Sequence, residues 1–229
     1  MLPLSRRYDT ILFDLDGTLV DSAPDLWAAL NHVLQHHGYP LTTLTDVHAF
    51  VGRGARYLLA RGFYGLRAEP PANDPWFEQA VAQFMAYYRA HISDHSQPFS
   101  GVRDTLLALQ HAGWQLAVVS NKREDLSRLL LEQLDLLHYF LLVIGGDSVA
   151  QCKPHPLPLQ HAMTLLHTLP ERTLMVGDSS NDTCAAQAAG CHAIVVTHGY
   201  RGDTPIEALQ ADMVIGDFAA LAAFCHNLS

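Results

Sequence analysis

The sequence predicts an α/β fold, a parallel sheet with helices on both faces, interrupted near its start by an all-helical insert. Three observations carry that reading. Short apolar runs alternate with helical stripes along most of the chain, the pattern of strand–helix–strand units. Within each run the residues are continuously apolar rather than alternating, as in strands covered on both faces. Residues 21–99 break the alternation, with about three helical patterns and no good buried strand.

The first run, Ile11-Leu12-Phe13, is a strand that delivers Asp14 and Asp16 onto a Gly17-Thr18 turn. In the insert, Leu26, Leu30, Val33 and Leu34 share a helical face, with Pro24 near its start and Gly38 at its stop. Residues 54–61 carry Leu58 and Leu59, and Asp74-Pro75 opens a helix with the stripe Phe77, Val81, Phe84, Tyr88 and Ile92. The insert connects to the rest through residues 20–23 and 97–101, where Pro98 and Gly101 mark a hinge. Val102, Leu106 and Leu109 then form a stripe that Gly113 stops. The second strand, Leu116-Ala117-Val118-Val119, ends in Ser120-Asn121, and Leu126, Leu130 and Leu134 form the next stripe. A third strand at residues 141–144 leads through Gly145-Gly146-Asp147 to Lys153-Pro154, followed by the stripe Leu159, Met163 and Leu166. The fourth, at 173–176, ends in Gly177-Asp178-Ser179-Ser180-Asn181-Asp182, and a small-residue helix over 183–189 stops at Gly190. Residues 193–196 and 213–215 are the fifth and sixth strands.

At 229 residues and 49% hydrophobic, the chain fits one large domain, or a core with a smaller companion. A net charge of −9 argues against a nucleic-acid or membrane-surface binder. No apolar run approaches the ~20 residues a membrane span needs. Residues 1–7 lead straight into a strand without an apolar signal core. The four cysteines form no C-x-x-C pair, so a reducing cytoplasm is the expected home. The fourteen histidines include His36-His37 and the His91/His95 pair but no zinc signature, and read as surface or packing residues.

Asp14 and Asp16 lie two apart on a strand, so they share a face at its carboxyl end, where open α/β sheets bind ligands. Crowding two like charges is costly unless something compensates, and a metal cation would. The string Asp14-Leu15-Asp16-Gly17-Thr18 resembles the first motif, D-x-D-G-T, of the haloacid dehalogenase-like hydrolase superfamily. Ser120-Asn121, Lys153-Pro154 and the segment from Gly177 to Asp182 resemble its other motifs, in family order. The resemblance spans nearly the whole chain. It implies a Rossmann-like core of residues 1–20 and 100–229, with residues 21–99 as a helical cap that closes over the active site.

The same resemblance implies the site. Asp14 is the nucleophile, and Asp16 is the general acid and base, a role that calls for a raised pKa. Asp178 ligates Mg2+ beside Asp14 and the backbone carbonyl of Asp16. Asp182, four residues beyond Asp178, orients a metal-bound water or ligates directly, the first being favoured, although an acid in a first helical turn is also favoured by the helix dipole alone. Ser120 and Asn121 donate hydrogen bonds to the transferring phosphoryl group, Lys153 neutralises it, and the Gly17 and Thr18 amides add donors. Lys122 and Arg123 are rival cations, expected to face solvent at the start of a helix.

The implied activity is a Mg2+-dependent phosphatase that hydrolyses a small phosphate monoester through an aspartyl phosphate. The Asp14/Asp16 pair and the insert's position favour it over a dehalogenase of the superfamily, which lacks the second catalytic Asp and the metal. A phosphomutase is an alternative. A catalytically silent phosphate-binding protein is another, and the intact Asp14, Asp16, Lys153 and Asp178 count against it. Within the superfamily, Val51-Gly52-Arg53-Gly54-Ala55, Gly145-Gly146-Asp147 and Thr197-His198-Gly199-Tyr200 are similar to bacterial phosphoglycolate phosphatases, with departures at Arg53, His155 and His198. That likeness implies 2-phosphoglycolate as the substrate, with other small sugar phosphates, amino-sugar phosphates and nucleotides as rivals. The expected partner is a small phosphorylated metabolite, and the chain is expected as a monomer or homodimer. Recognition of the substrate's carboxylate is expected from the cap loop Gly52-Arg53-Gly54, with Arg53 making a forked contact. An ordinary surface arginine is the rival reading.

Overall fold

The computed structural model describes residues 8–201 and 204–227; segment 1–7, expected to lead into the first strand, lies outside them. In chain order the strands are β1 (Thr10–Phe13), β2 (Val20–Asp21), β3 (Gln97–Pro98), β4 (Gln115–Val119), β5 (Leu142–Ile144), β6 (Thr173–Gly177), β7 (His192–Val196) and β8 (Met213–Ile215). Six of them form one sheet in the order β5-β4-β1-β6-β7-β8. All its pairings are parallel, so the loops that follow its strands leave from one edge. β1 is central. Phe13 pairs with Val118 on one side and Val176 on the other, which brings Asp14, Ser120 and Asp178 to the same stretch of that edge.

Side-chain alternation sorts the core into two layers. Ile11 and Phe13 point to the face covered by α5 (Val102–His111), α6 (Glu124–Gln133) and α9 (Phe218–His226), where Leu106, Leu126 and Phe218 are buried. Leu12, Ala117 and Met175 point to the other, against Leu159 and Met163 of α7 (Leu157–Leu166) and Ala185 and Ala186 of α8 (Ser180–Ala189). The small side chains of α8 let it lie close to the sheet, and Gly190 ends it in a left-handed cap.

The insert folds as α1 (Ala23–His36), α2 (Leu44–Phe50), α3 (Ala55–Tyr64) and α4 (Pro75–Ala90). Helix α1 packs on the other three, and α3 also contacts α2 and α4. Asp74 caps α4 by accepting from the Trp76 and Phe77 amides, and Pro75 occupies the first turn. Of the expected α4 stripe, Phe77, Phe84 and Tyr88 are buried, and Ile92 is buried just past the helix end. The hinge is more ordered than the sequence suggests. β2 and β3 pair antiparallel, Val20 with Pro98 and Asp21 with Gln97. Buried Asp25 accepts hydrogen bonds from the His95 and Ser96 amides and the Ser96 hydroxyl, tying α1 to the returning chain. The histidine pairs serve packing and surface contacts: His37 lies edge-on to Trp76 and His91 pairs with Asp94.

Candidate active site

Five loops at the carboxyl edge of the sheet build the site, and a cavity of about 90 Å³ lies between the segments that follow β1 and β4 and the insert. Its walls include Asp14, Asp16, Ser120 and Lys122 from the sheet side and Leu26, Val51, Leu58, Phe84 and Tyr88 from the insert.

Asp14 follows β1 directly and is buried beside Lys153, Asp178 and Asp182. One carboxylate oxygen from each of the three aspartates can be chosen so that all lie within 4.8 Å of one another. Lys153 is the counter-charge. Its Nζ donates to the Val119 carbonyl and to Asp182 Oδ1, both at 2.6 Å, and lies 3.0 Å from Asp14 Oδ1. Burial pushes Asp14 up to about 6 against the pull of Lys153. Burial, then Asp182 and Asp14, raise Asp178 well above the usual carboxylate range. Burial alone would lower Lys153, but Asp14 and Asp182 overcome it and hold the ammonium charged.

The two downstream aspartates are used differently. Asp182 Oδ2 accepts from the Ser179 hydroxyl at 2.7 Å and the Ser179 amide at 3.1 Å, while Oδ1 takes Lys153. Both of its oxygens are thus engaged, and it holds the start of α8 and Lys153 together. Asp178 accepts from Thr18 Oγ1 at 3.1 Å and from the Tyr200 amide at 2.6 Å. Two glycines make room for it: a Cβ on Gly199 would fall 2.0 Å from Asp178 Cβ, and one on Gly17 would fall 2.5 Å from Asp178 Oδ2.

The donor set fits a hard divalent cation. The carboxylates of Asp14, Asp178 and Asp182 face one ammonium, and Asp16 has its own partner. Among the described residues Asp14 Oδ1 receives no well-directed hydrogen bond, despite its ion-pair distance to Lys153. All-oxygen ligation is what Mg2+ or Ca2+ takes.

Four expectations are corrected by the geometry. Lys122, expected to face solvent, is buried: its Nζ donates to Asp16 Oδ1 at 2.7 Å and Oδ2 at 2.9 Å and sits 4.8 Å from the Tyr88 ring. It precedes α6 rather than opening it, and the carboxylate beneath draws it inward. Arg123 does lie at the surface, paired with Asp125 and Asp147. The amides of Gly17 and Thr18, expected as phosphate donors, close their own turn onto the carbonyls of Val20 and Leu15. The side chain of Asn121, expected on the phosphoryl group, donates instead to the carbonyls of Lys153 and Gly52, both at 2.9 Å. Arg53 lies outside the cavity, half-exposed, stacked 3.9 Å from the Tyr57 ring centre and paired with Glu69; Gly52 and Gly54 do line it.

Ser120 sits in the cavity wall, and its Oγ accepts from the Lys122 amide at 3.3 Å, which leaves the hydroxyl proton to donate. Ser22 donates to Asp16 Oδ1 at 2.5 Å. Tyr200, picked out from sequence only as part of a similar string, holds the hinge: its hydroxyl donates to Asp21 and accepts from the Ala23 amide. Ser22, Asn181 and the inward turn of Lys122 had no signal in the sequence beyond closeness to a motif.

Residues 11–196 match the haloacid dehalogenase-like hydrolase family. The chain is similar to a phosphoglycolate phosphatase of Thiobacillus denitrificans, 39% identical over 214 residues and covering 93% of each chain. One from Chromobacterium violaceum is 40% identical over 222 residues, covering 97% of this chain and 98% of the relative. A crystal structure of a predicted phosphoglycolate phosphatase from Haemophilus somnus superposes with a TM-score of 0.88 at 34% identity, over 95% of this chain and 98% of that one.

Proposed function

The chain belongs to the haloacid dehalogenase-like hydrolase family, and on that premise we propose that it hydrolyses 2-phosphoglycolate to glycolate and phosphate with Mg2+ as cofactor. The observation that carries this reading is the buried group of Asp14, Asp178, Asp182 and Lys153, which reaches through Asp14 into a cavity also lined by Ser120. The names of the relatives supply the substrate.

Asp14 attacks phosphorus, the bond from phosphorus to the glycolate oxygen breaks, and Asp16 gives that oxygen a proton. Asp16, now a carboxylate, then takes a proton from water as the water cleaves the aspartyl phosphate, which releases phosphate and restores the Asp14 carboxylate and the Asp16 carboxylic acid. Lys153 keeps Asp14 ionised and, with the Ser120 hydroxyl, stabilises charge on the phosphoryl oxygens. Asp14, Asp178 and the backbone carbonyl of Asp16 would hold Mg2+, which would supply further neutralisation of that charge. Asp182 fixes Lys153 and the entry to α8. In the structure the Asp16 carboxylate rests on Lys122 and Ser22, so it reaches the leaving oxygen by giving up one of these contacts.

That exchange bears on specificity. Lys122 lies in the cavity wall and takes over from Arg53 as the cation that meets the substrate's carboxylate. Residues 21–99 act as a cap over a core of residues 1–20 and 100–229; the packing of α1–α4 on one another and the paired strands of the hinge support this division. No helix among the described residues is long and apolar enough to cross a membrane, and we place the enzyme in the cytoplasm.

A panel of small phosphate esters assayed with Mg2+ and with excess chelator tests the reading. Phosphate release should be highest from 2-phosphoglycolate and vanish in chelator. Preference for a hexose phosphate or a nucleotide would reassign the substrate, and full turnover in chelator would remove the metal from the account.

A further inference from the structure

One carbonyl of the insert, that of Gly52, is gripped by two core side chains. It accepts from Asn121 Nδ2 at 2.9 Å and from Asn181 Nδ2 at 3.1 Å. These asparagines flank the chemistry: Asn121 follows Ser120 and Asn181 precedes Asp182. Asn121 is engaged on every side. Its second N–H donates to the Lys153 carbonyl at 2.9 Å, and its Oδ1 accepts from the Lys153 amide at 2.9 Å. The loop is shaped to present this carbonyl. Gly52 has φ +112°, and a Cβ there would stand 3.3 Å from Asn181 Nδ2, a conformation that favours glycine.

We propose that Asn121 and Asn181 form a latch on Gly52 that holds the insert seated over the cavity, and that through Asn121 the seated insert positions Lys153. This rests on the phosphatase reading for its kinetic consequence, though not for the latch itself. A side-chain amide is planar, so the N–H that holds Gly52 and the two groups that hold Lys153 turn together. When Gly52 leaves, Asn121 loses one of three restraints and the Lys153 peptide loses its fixed support. Asn181 contributes to seating alone, and Asn121 to both seating and Lys153. They are positioning residues: the Asn121 amide is wholly engaged by the protein, and the Asn181 amide is turned to Gly52.

Two variants and two readouts separate these roles. Arg53 follows Gly52, so trypsin cleavage after Arg53, read by mass spectrometry, reports release of the loop without reference to activity. Asn181→Ala should raise that cleavage rate about fivefold, the factor for one neutral hydrogen bond. Asn181→Leu, which keeps bulk and lacks the donor, should do the same. Both should raise KM for the small ester by a similar factor while kcat changes by less than about twofold. Asn121→Ala should release the loop and also lower kcat by more than about tenfold, because Lys153 is no longer held. An unchanged Arg53 cleavage rate in both Asn181 variants would overturn the latch, as would a rise matched equally at sites in the core helices. A kcat for Asn121→Ala equal to that of Asn181→Ala would overturn the coupling to Lys153. If the wild type hydrolyses no phosphate ester, the phosphatase reading fails, and the Arg53 cleavage contrast still decides the latch.

Discussion

The two regions that meet at the cavity bring different things to it. The sheet edge supplies Asp14, Asp16, Ser120 and Lys122, whereas the insert supplies mostly apolar surface, such as Leu26, Val51, Leu58 and Phe84. A polar floor under an apolar roof is an arrangement in which fixed charges act strongly, because the roof keeps water from screening them. The difference teaches where each kind of change should be felt. Alterations of the floor should damage the reaction for every substrate. Alterations of the roof and rim should change which substrate is taken, or nothing.

The floor is tested first at Asp14. Asp14→Asn keeps the shape but removes the attacking charge, so turnover of any phosphate ester should fall by at least ~10⁴-fold. Steady-state assays of a variant verified free of deamidation check this, and substantial residual turnover would remove Asp14 as nucleophile.

Asp178 sharpens the contrast, since a floor built for charge should cost stability when no metal is bound. Asp14 and Asp178 both have raised pKa values in the fold. The folded state therefore binds more protons than the unfolded one above the ordinary 3.8 and up to about 6 for Asp14. The sign follows: these carboxyls favour folding most below their unfolded pKa, and that contribution is lost as pH rises through the folded value. For Asp14, chelated protein should lose stability as pH rises from about 4 through about 6, with Asp178 adding a loss of the same sign, and added Mg2+ should restore it at neutral pH. Asp178→Asn should lower kcat/KM by roughly 10²–10³-fold yet raise the metal-free melting temperature at neutral pH by roughly 2–4 °C. Melting curves with and without chelator measure this. A lower metal-free melting temperature in the variant would mean that Asp178 is held mainly by its bonds to Thr18 and Tyr200.

At the boundary between floor and roof, Lys122→Gln should lower kcat/KM for 2-phosphoglycolate by roughly 1.5–3 kcal/mol more than for an aryl phosphate without a carboxylate. Equal losses would confine Lys122 to its partner Asp16. At the rim, Arg53→Ala should change kcat/KM for either substrate by less than about twofold and stability by about 0.5 kcal/mol or less. A loss confined to 2-phosphoglycolate would return Arg53 to substrate recognition, with a rearranged loop.

The same division governs what the sequence disclosed. The continuous apolar runs before Asp14, Ser120 and Asp178 mark strands buried on both faces, and the residues just past them reach the carboxyl edge whatever the helices do. The floor was therefore legible. What Lys122 does was not. It stands beside Arg123 after the same strand, and only the Asp16 carboxylate lying beneath one of them sends the two cations opposite ways. The Gly17 and Thr18 amides looked free because a local string does not show that a tight turn uses its own donors. Helix α2, seven residues long, is too short for an apolar stripe, although Thr43 and Asp46 form a capping box that could have marked it. Helix α9 is almost wholly apolar and shows no periodicity, so only its packing through Phe218 and Leu221 reveals its buried face. The hinge pairing of β2 with β3 joins residues far apart in sequence, and two-residue strands leave no pattern.

The central claim is that the floor works by passing the phosphoryl group through Asp14. Wild-type enzyme mixed with 2-phosphoglycolate and Mg2+, quenched in acid during turnover and mapped by peptide mass spectrometry, tests it directly. The account predicts a phosphoryl group on Asp14 that is absent in chelator and absent from Asp14→Asn. Rapid phosphate release with Asp14 unmodified throughout, or a phosphoryl group on a different residue, would contradict it.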